Sequence, residues 1–301
     1  MKYVVLDLEW NSVFSHKCEG YFNEIIQFGA VRLDAELHET GRFATFVHPT
    51  EGDRLTELVE QLTNIRSEDL ESGLPFMQAF HAFCAFCSGA EPDEPICLMS
   101  WGDCDIRELI HNYEFFTGSP LLPLNGTYLN LQNYFQCVQQ LPMTNQIGLS
   151  NAAVQMGIPV DGVELHHAID DSMVTAECLR RIFTSEQELA NAAVPMNECF
   201  FRRMAFKNRM ITDPGDPLVD PAQFEFRCPK CGGALGANED WSVHNKQFYR
   251  NFFCTGCSRQ FRARVQFKQK FDGVQVRRSL NEKRPKPKTP PVETETAAHA
   301  D

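Results

Sequence analysis

Two acidic residues interrupt an apolar, strand-like segment near the start of the chain. Residues 2–8 are rich in Val and Leu. The alternation of a β-strand places Asp7 and Glu9 on one face and Leu8 on the other. Burial of two neighbouring carboxylates as anions is unfavourable unless cations offset their charge. The pair predicts a metal site on a sheet, although the polar end of an edge strand would also explain it.

A second acidic segment follows an apolar strand predicted over residues 96–101. The chain passes through Gly102 into a predicted helix, with Asp103 at its N-cap position and Asp105 in its first turn. Helix capping explains Asp103, and a favourable interaction with the helix dipole explains Asp105, without any catalytic chemistry. This segment alone therefore does not specify a site.

A third segment places two histidines and two aspartates at the start of a helix predicted over residues 168–184. Asp171 shares a face with apolar residues of this helix and can point into the domain, while His166 stays in the preceding loop. His167 and Asp170 are the neighbouring alternatives. Structural roles as loop and helix-start residues remain open for all four.

The remaining pattern predicts an α/β domain. Three strands, over residues 2–8, 24–33 and 41–48, form a meander, and helices alternate with strands after it. This order predicts a mixed β-sheet flanked by helices. Further predicted elements are a helix after Pro75, a strand over Tyr128–Leu131 and a helix near residues 149–156.

Together, the three acidic segments resemble the DEDDh 3′–5′ exonucleases of the ribonuclease H-like superfamily, over residues 1–185. The second segment has the form W-G-x-x-D and the third has the form H-x-A-x-x-D. Both forms are most similar to those of Eri-type exoribonucleases and their bacterial relatives. The first form favours Asp105 over Asp103, and the second selects His166 and Asp171. The resemblance implies that His166 is a general base. It also implies that four carboxylates are metal ligands, namely Asp7, Glu9, Asp105 and Asp171.

Two further stretches resemble this family. Residues 24–30 resemble its second strand, and His48-Pro49 followed by residues 61–65 resembles its P-then-LTGI segment. Asn64 stands where that segment has Gly, so the details of this loop depart from the family pattern.

The resemblance also implies a reaction. Four carboxylates balance two divalent cations, and oxygen ligands favour Mg²⁺ or Mn²⁺. In this hypothesis Asp7 bridges the two ions and His166 accepts the proton of the attacking water. The expected substrates are 3′ ends of single-stranded RNA or DNA, with RNA favoured, and the expected products are nucleoside 5′-monophosphates. The alternative is an inactive nuclease fold that binds nucleic acid or protein through its second module.

That second module is indicated by two CxxC pairs. Cys228 and Cys231 form one pair, and Cys254 and Cys257 form the other. Four thiolates at such spacing predict one structural Zn²⁺ in a zinc ribbon. Cys84 and Cys87 also form a CxxC pair, but no second pair accompanies them, so packing on a Phe-rich helix is expected.

Charge is unevenly distributed along the chain. The net charge is -12, yet residues 227–288 hold 15 Lys and Arg against 4 Asp and Glu. Aromatic residues are interleaved with these basic residues, and this composition suits base stacking and phosphate contact. We therefore expect the module to bind nucleic acid, with protein binding as the alternative.

The predicted domain boundaries follow from these patterns. The exonuclease-like domain covers residues 1–185, a helical extension and linker 186–223, the zinc ribbon 224–278 and a disordered tail 279–301. No apolar stretch approaches the roughly 20 residues that span a bilayer, and no export signal is evident. A cytoplasmic protein without membrane contact is expected.

Overall fold

The chain forms two compact units, Met1–Ala205 and Phe206–Asp301. The structure is a computed structural model. It describes residues 2–52, 54–89, 95–159 and 167–283.

A six-stranded mixed sheet forms the centre of the first unit, as the sequence predicts. Its order is β3-β2-β1-β4-β5-β6. The first three strands are antiparallel, β4 and β5 run parallel to β1, and β6 is antiparallel to β5. The strands are β1 Lys2–Ser15, β2 Gly20–Leu33, β3 Glu39–Phe46, β4 Ile96–Ser100, β5 Gly126–Asn130 and β6 Val194–Pro195.

Helices cover both faces of this sheet. They are α1 Glu57–Thr63, α2 Phe76–Ser88, α3 Cys104–Thr117, α4 Leu131–Val138, α5 Leu149–Gln155, α6 Ala168–Ile182, α7 Glu186–Ala192 and α8 Glu198–Ala205. One 3-10 helix covers Ser67–Leu70. Val4 and Leu6 of β1 pack with α2, α3 and α8, whereas Tyr3 and Val5 pack with α4, α6 and α7. None of the helices in the described ranges combines the length and the apolar character of a membrane span.

The first strand is longer than its apolar pattern predicts. It continues past residue 8 to Ser15, and its polar second half pairs with the first half of β2. A register shift lies between Glu9 and Trp10. Ladder hydrogen bonds between the two strands therefore extend the hairpin where hydrophobicity alone gives no strand signal.

The helices that follow residue 185 pack against the sheet. α7 and α8 belong to the first unit, in which Phe200 and Phe201 are buried in the same core as β1. The predicted helical extension therefore lies in the compact first unit as far as residue 205, because burial of its aromatic side chains joins it to the sheet.

The helix α6 approaches the backbone of β2 very closely at Gly29. A Cβ atom at this position would lie 2.0 Å from the carbonyl carbon of Ala168. The Ser172 hydroxyl donates to the Gly29 carbonyl at 2.9 Å, and the Ala168 N–H donates to the Gln27 side chain at 3.0 Å. The missing side chain at Gly29 therefore sets how close the start of α6 comes to the sheet.

The second unit contains an antiparallel sheet. One of its faces buries Phe248, Phe261 and Phe267 against aromatic residues of the preceding segment. The strands are β7 Arg209–Ile211, β8 Leu235–Gly236, β9 Ser242–His244, β10 Gln247–Cys254, β11 Arg259–Lys270 and β12 Gly273–Glu282, and a 3-10 helix covers Pro221–Phe224.

The predicted limits of this module need correction at both ends. β7 precedes the predicted start at residue 224 and pairs with β11. Residues 279–282, predicted to begin a disordered tail, form the end of β12 and pair with β11. Paired backbone groups, which polar side chains do not reveal, order these segments. The tail prediction for residues 284–301 lies outside the described residues.

We predict that Gly29→Ala destabilises the first unit by about 2 kcal/mol or more, because a methyl group cannot enter the backbone contact with Ala168 without moving α6. Urea unfolding of the full chain measures this effect. Gly20→Ala on the same strand is the matched control, since its nearest neighbour would be 3.8 Å away. Equal stability of the two variants would contradict the close approach.

Candidate functional site

The two carboxylates of β1 lie on the sheet face that α6 covers. Asp7 and Glu9 have the parity of Tyr3 and Val5, which pack in the α6 cluster. Asp7 pairs with Gly29 across the ladder. The close approach at Gly29 therefore brings the first turn of α6 next to Asp7.

Asp171 lies in that first turn of α6. Oxygen atoms of Asp7, Glu9 and Asp171 lie within 4.8 Å of one another, a spacing that one metal ion could bridge. Asp170, the neighbouring alternative, does not belong to this group. Of the two histidines, His167 is the N-cap residue of α6, and the predicted base His166 lies outside the described residues.

Asp105 reaches the same site from α3. Its side chain is 5% exposed, and its Oδ1 accepts a hydrogen bond of 3.2 Å from the Leu8 N–H, between the two acidic positions of β1. The sequence preference for Asp105 over Asp103 agrees with this placement. Four carboxylates from one strand and two helices thus converge.

Asp103 does not have the helix-capping role that its position predicts. It occupies the N-cap position of α3, but its side chain makes no capping hydrogen bond. Its Oδ1 instead accepts hydrogen bonds from Asn130 Nδ2 at 2.8 Å and from the Tyr128 hydroxyl at 3.3 Å. Asp103 therefore ties the start of α3 to β5.

The electrostatics of the cluster disfavour four anions. Burial, followed by repulsion from Asp105, Asp171 and Glu9, raises the pKa of Asp7 well above its usual range. Burial and repulsion from Asp171 and Asp105 raise the pKa of Glu9 to about 8. Burial raises the pKa of Asp105 to about 7, although the backbone N–H groups that it accepts from lower it.

These donors fit divalent cations. Carboxylate oxygens are hard ligands, which Mg²⁺ and Mn²⁺ prefer, and cations in the cluster would remove the repulsion that raises its pKa values. The geometry supplies a buried acidic pocket formed by β1, α3 and α6.

The Asn64 departure has a conformational explanation. Asn64 is the C-cap residue of α1, with φ 55° and ψ 9°. This left-handed conformation favours Gly, and Asn adopts it more readily than other residues do. The substitution thus preserves the backbone turn after α1.

Sequence reasoning missed the residues that position the acidic cluster. Gln27, Gly29 and Ser172 hold α6 on β2, and none of them carries catalytic chemistry. Glu24 was also missed. It is buried and accepts hydrogen bonds from the N–H groups of residues 50–52, so it fixes the loop after β3. A Gly inside an apolar strand was the available signal for close backbone approach.

The four cysteines of the second unit form a separate site. Their sulfur atoms lie within 4.8 Å of one another, with Cys228 3.6 Å from Cys257 and Cys231 3.4 Å from Cys254. Thiolates around a tetrahedral Zn²⁺ lie roughly 3.8 Å apart. Desolvation raises the pKa of Cys228, but hydrogen bonds from the N–H groups of Lys230 and Cys231 and from the Cys257 and Cys231 thiols together lower the pKa to about 6. The arrangement fits a zinc ribbon.

Cys84 and Cys87 behave as packing residues, as predicted. Both lie on α2, where Cys87 belongs to the core and Cys84 packs against it. Burial raises the pKa of Cys84 to about 12, so its thiol stays protonated at neutral pH.

Buried carboxylates gathered on a mixed sheet are typical of metal-dependent phosphodiester hydrolases. A model of the exonuclease (RNase_T) family matches residues 4–179, and the chain belongs to this family. The chain is 28% identical over 195 residues to ERI1 exoribonuclease 2 of Mus musculus, covering 58% of this chain and 27% of that protein. It therefore spans about a quarter of the length of that relative.

Solved structures share the fold. The nuclease domain of 3′hExo, a DEDDh family member bound to rAMP, has a TM-score of 0.53 at 20% identity, covering 60% of this chain and 90% of that one. A 3′-exonuclease solved for recognition of the 3′ end of a histone mRNA stem-loop has a TM-score of 0.52 at 19% identity, covering 60% and 80%. The ribonuclease H-like fold predicted from sequence is confirmed.

We predict that the chain without added Mg²⁺ or Mn²⁺ loses stability as the pH rises. In the unfolded chain these carboxyls titrate near pH 4, whereas the folded pKa values are about 7 for Asp105 and about 8 for Glu9. Their protonated forms are favoured by folding, so this contribution is fully present below about pH 4 and is lost as the pH rises through 7 and 8.

Thermal melts between pH 5 and 9 test this, with wild type compared with Asp105→Asn. The variant should melt higher than wild type at pH 8, and the difference should shrink toward pH 5 and on addition of Mg²⁺. Asp103→Asn is the control and should not show this pH-dependent gain. An Asp105→Asn variant less stable than wild type at pH 8 would oppose the repulsion argument.

Proposed function

We propose that this protein is a metal-dependent 3′–5′ exonuclease of single-stranded nucleic acid that releases nucleoside 5′-monophosphates, with RNA favoured over DNA. The observation that carries the proposal is the convergence of Asp7, Glu9, Asp105 and Asp171 from three separate elements. Membership of the exonuclease family supports the same conclusion.

In this proposal the four carboxylates hold two Mg²⁺ or Mn²⁺ ions. Asp7 would be the central ligand, because the other three carboxylates each raise its pKa and it therefore lies among them. When bound, the two ions stabilise the attacking and leaving oxygens during displacement at phosphorus. Asp105 is held in place by the Leu8 N–H, so the chain itself fixes one ligand before any ion binds.

His166 is the proposed proton acceptor. The H-x-A-x-x-D pattern supports this role, and an imidazole with an ordinary pKa of about 6.5 accepts a proton from water near neutral pH. Loss of the proton makes the water a nucleophile for the terminal phosphodiester. Its attack releases the last nucleotide with its 5′-phosphate.

The preference for RNA over DNA is inferred from the similar proteins. The curated relative is named an exoribonuclease, and one similar structure contains rAMP. Discrimination between RNA and DNA depends on contacts with the 2′-hydroxyl. The substrate preference of this chain is therefore part of the proposal.

For the second unit we propose one structural Zn²⁺ held by Cys228, Cys231, Cys254 and Cys257. The support is the spacing of the four sulfur atoms and the backbone N–H groups directed at Cys228. The ion would join the segment before β8 to the β10–β11 hairpin.

We predict that Asp7→Asn and Asp105→Asn each lower hydrolysis by at least about 100-fold, because each removes a charged ligand from the cluster. The measurement uses 3′-labelled and 5′-labelled single-stranded RNA and DNA with Mg²⁺ or Mn²⁺. Wild type should release a labelled 5′-monophosphate early from 3′-labelled strands and successively shorter products from 5′-labelled strands.

Matched variants separate catalysis from folding in this experiment. Asp103→Asn and Asp170→Asn should retain activity within about tenfold of wild type, because neither carboxylate belongs to the cluster. Likewise His166→Ala should lose at least about 100-fold, and His167→Ala should lose much less. Unchanged activity of Asp7→Asn, or release from the 5′ end, would reject the exonuclease proposal.

We predict one bound Zn²⁺ per chain, reduced in Cys228→Ser, because the remaining three thiolates hold zinc less tightly. Metal analysis of the purified protein measures the stoichiometry. Cys84→Ser is the control for loss of a thiol and should keep its zinc. Equal zinc contents in the two variants would contradict the assignment.

A further inference from the structure

One face of the sheet in the second unit is not used for the core. In β11, Phe261, Ala263, Val265 and Phe267 are buried, and the residues between them point to the opposite side. Cross-strand pairing extends this side to β10 and β12. We call it the open face. Its positions are Tyr249, Asn251, Phe253, Gln260, Arg262, Arg264, Gln266, Lys268, Gln275, Arg277, Ser279 and Asn281.

The charge of the open face has one sign. Among the positions named and the end of β11 it carries five cations, Arg262, Arg264, Lys268, Lys270 and Arg277, and no carboxylate. Glu239 lies beside it and accepts a hydrogen bond from Asn251. The face thus presents a positive field that a polyanion would complement.

Other arginines of the same unit are engaged in the fold. Arg259 pairs with Glu282 at 2.8 Å, and Arg278 lies over the Phe226 ring and donates to the Glu225 carbonyl. By contrast, in the described part of the chain no ion pair holds Arg264 or Arg277. These two side chains border a groove of about 260 Å³ with Gln266 and Ser279.

Aromatic groups accompany the cations. The Phe253 side chain is 42% exposed, although aromatic rings on its strand at Phe248 and Phe252 are buried in the core. The Arg262 guanidinium lies 4.7 Å from the Tyr249 ring centroid. Exposed rings and stacked guanidinium planes are groups on which unpaired bases stack.

We propose that the open face binds single-stranded nucleic acid, with phosphates at Arg264, Lys268 and Arg277 and bases against Phe253 and the Arg262–Tyr249 pair. A folded protein with an acidic surface would also match the cations. A guanidinium stacked on a ring, beside cations that form no ion pair among the described residues, suits the alternating bases and phosphates of a single strand better. The inference rests on the proposed function, in that the bound strand is the polymer hydrolysed by the first unit. The face would thereby keep long substrates on the enzyme.

Binding is measured on the full chain in an Asp7→Asn background, so that the strand is not degraded. The probes are fluorescent rU and dT oligomers of about 20 nucleotides, longer than common single-strand sites. Arg264→Gln/Arg277→Gln should weaken binding at least about tenfold and make the log–log salt slope shallower by about 1.4, which corresponds to two lost phosphate contacts.

The matched control is Lys230→Gln/Lys246→Gln. It removes the same charge from the same unit at positions outside the open face and should change affinity less than about twofold. Phe253→Ala should weaken oligonucleotide binding at least about fivefold but leave heparin binding unchanged, because heparin offers charge without bases. Zinc content and circular dichroism verify that each variant is folded.

Hydrolysis distinguishes this proposal from the exonuclease proposal. Arg264→Gln/Arg277→Gln with an intact Asp7 should cleave a dinucleotide at the wild-type rate and long strands less efficiently. If wild type cleaves nothing but the double variant still loses binding, the open face stands and the exonuclease proposal fails. In the Asp7→Asn background, equal binding by the double variant and its control, or no oligonucleotide binding by the Asp7→Asn protein alone, overturns the open-face proposal.

Discussion

The first unit has to hold four carboxylates close together against their mutual repulsion. Asp7, Glu9, Asp105 and Asp171 are held close together, although burial and repulsion raise the pKa values of Asp7 and Glu9, and burial raises that of Asp105. Such an arrangement persists only if the surrounding structure is rigid enough to oppose it. The sheet supplies that rigidity, since β1 lies between β2 and β4 and its apolar residues belong to two separate core clusters. The site is therefore built on the most constrained strand of the domain.

The contact between α6 and β2 has a related consequence. Hydrogen bonds from Ser172 and Ala168 fix the helix, and Gly29 removes the atom that would separate the two backbones. The position of the Asp171 carboxylate at the start of α6 therefore depends on packing of the helix against the sheet. Placement on a rigid element keeps a catalytic group within the small positional tolerance that displacement at phosphorus requires.

The two faces of the sheet in the second unit have different roles. Its aromatic core and its cluster of four cysteines lie on one side, and they stabilise a unit too small to depend on a large hydrophobic core. Of the cations on the other side, Arg264 and Arg277 form no ion pair in the described part of the chain. This strongly basic segment lies in an acidic chain of net charge -12; in the proposed function the acidic site would hold cations and the basic face would bind phosphates.

The sequence by itself determined the residue types and their local placement. Strand alternation put Asp7 and Glu9 on one face, helix-start patterns put Asp105 and Asp171 in first turns, and CxxC spacing identified the two cysteine pairs, because each of these properties depends on neighbours within a few residues. Only the tertiary structure decided that the carboxylates converge and that Asp103 accepts hydrogen bonds from β5. It also decided that α7 and α8 complete the first unit and that β12 continues to Glu282. The physical reason is that these features arise from backbone pairing and close packing between distant segments, of which Gly29 against Ala168 is the clearest case.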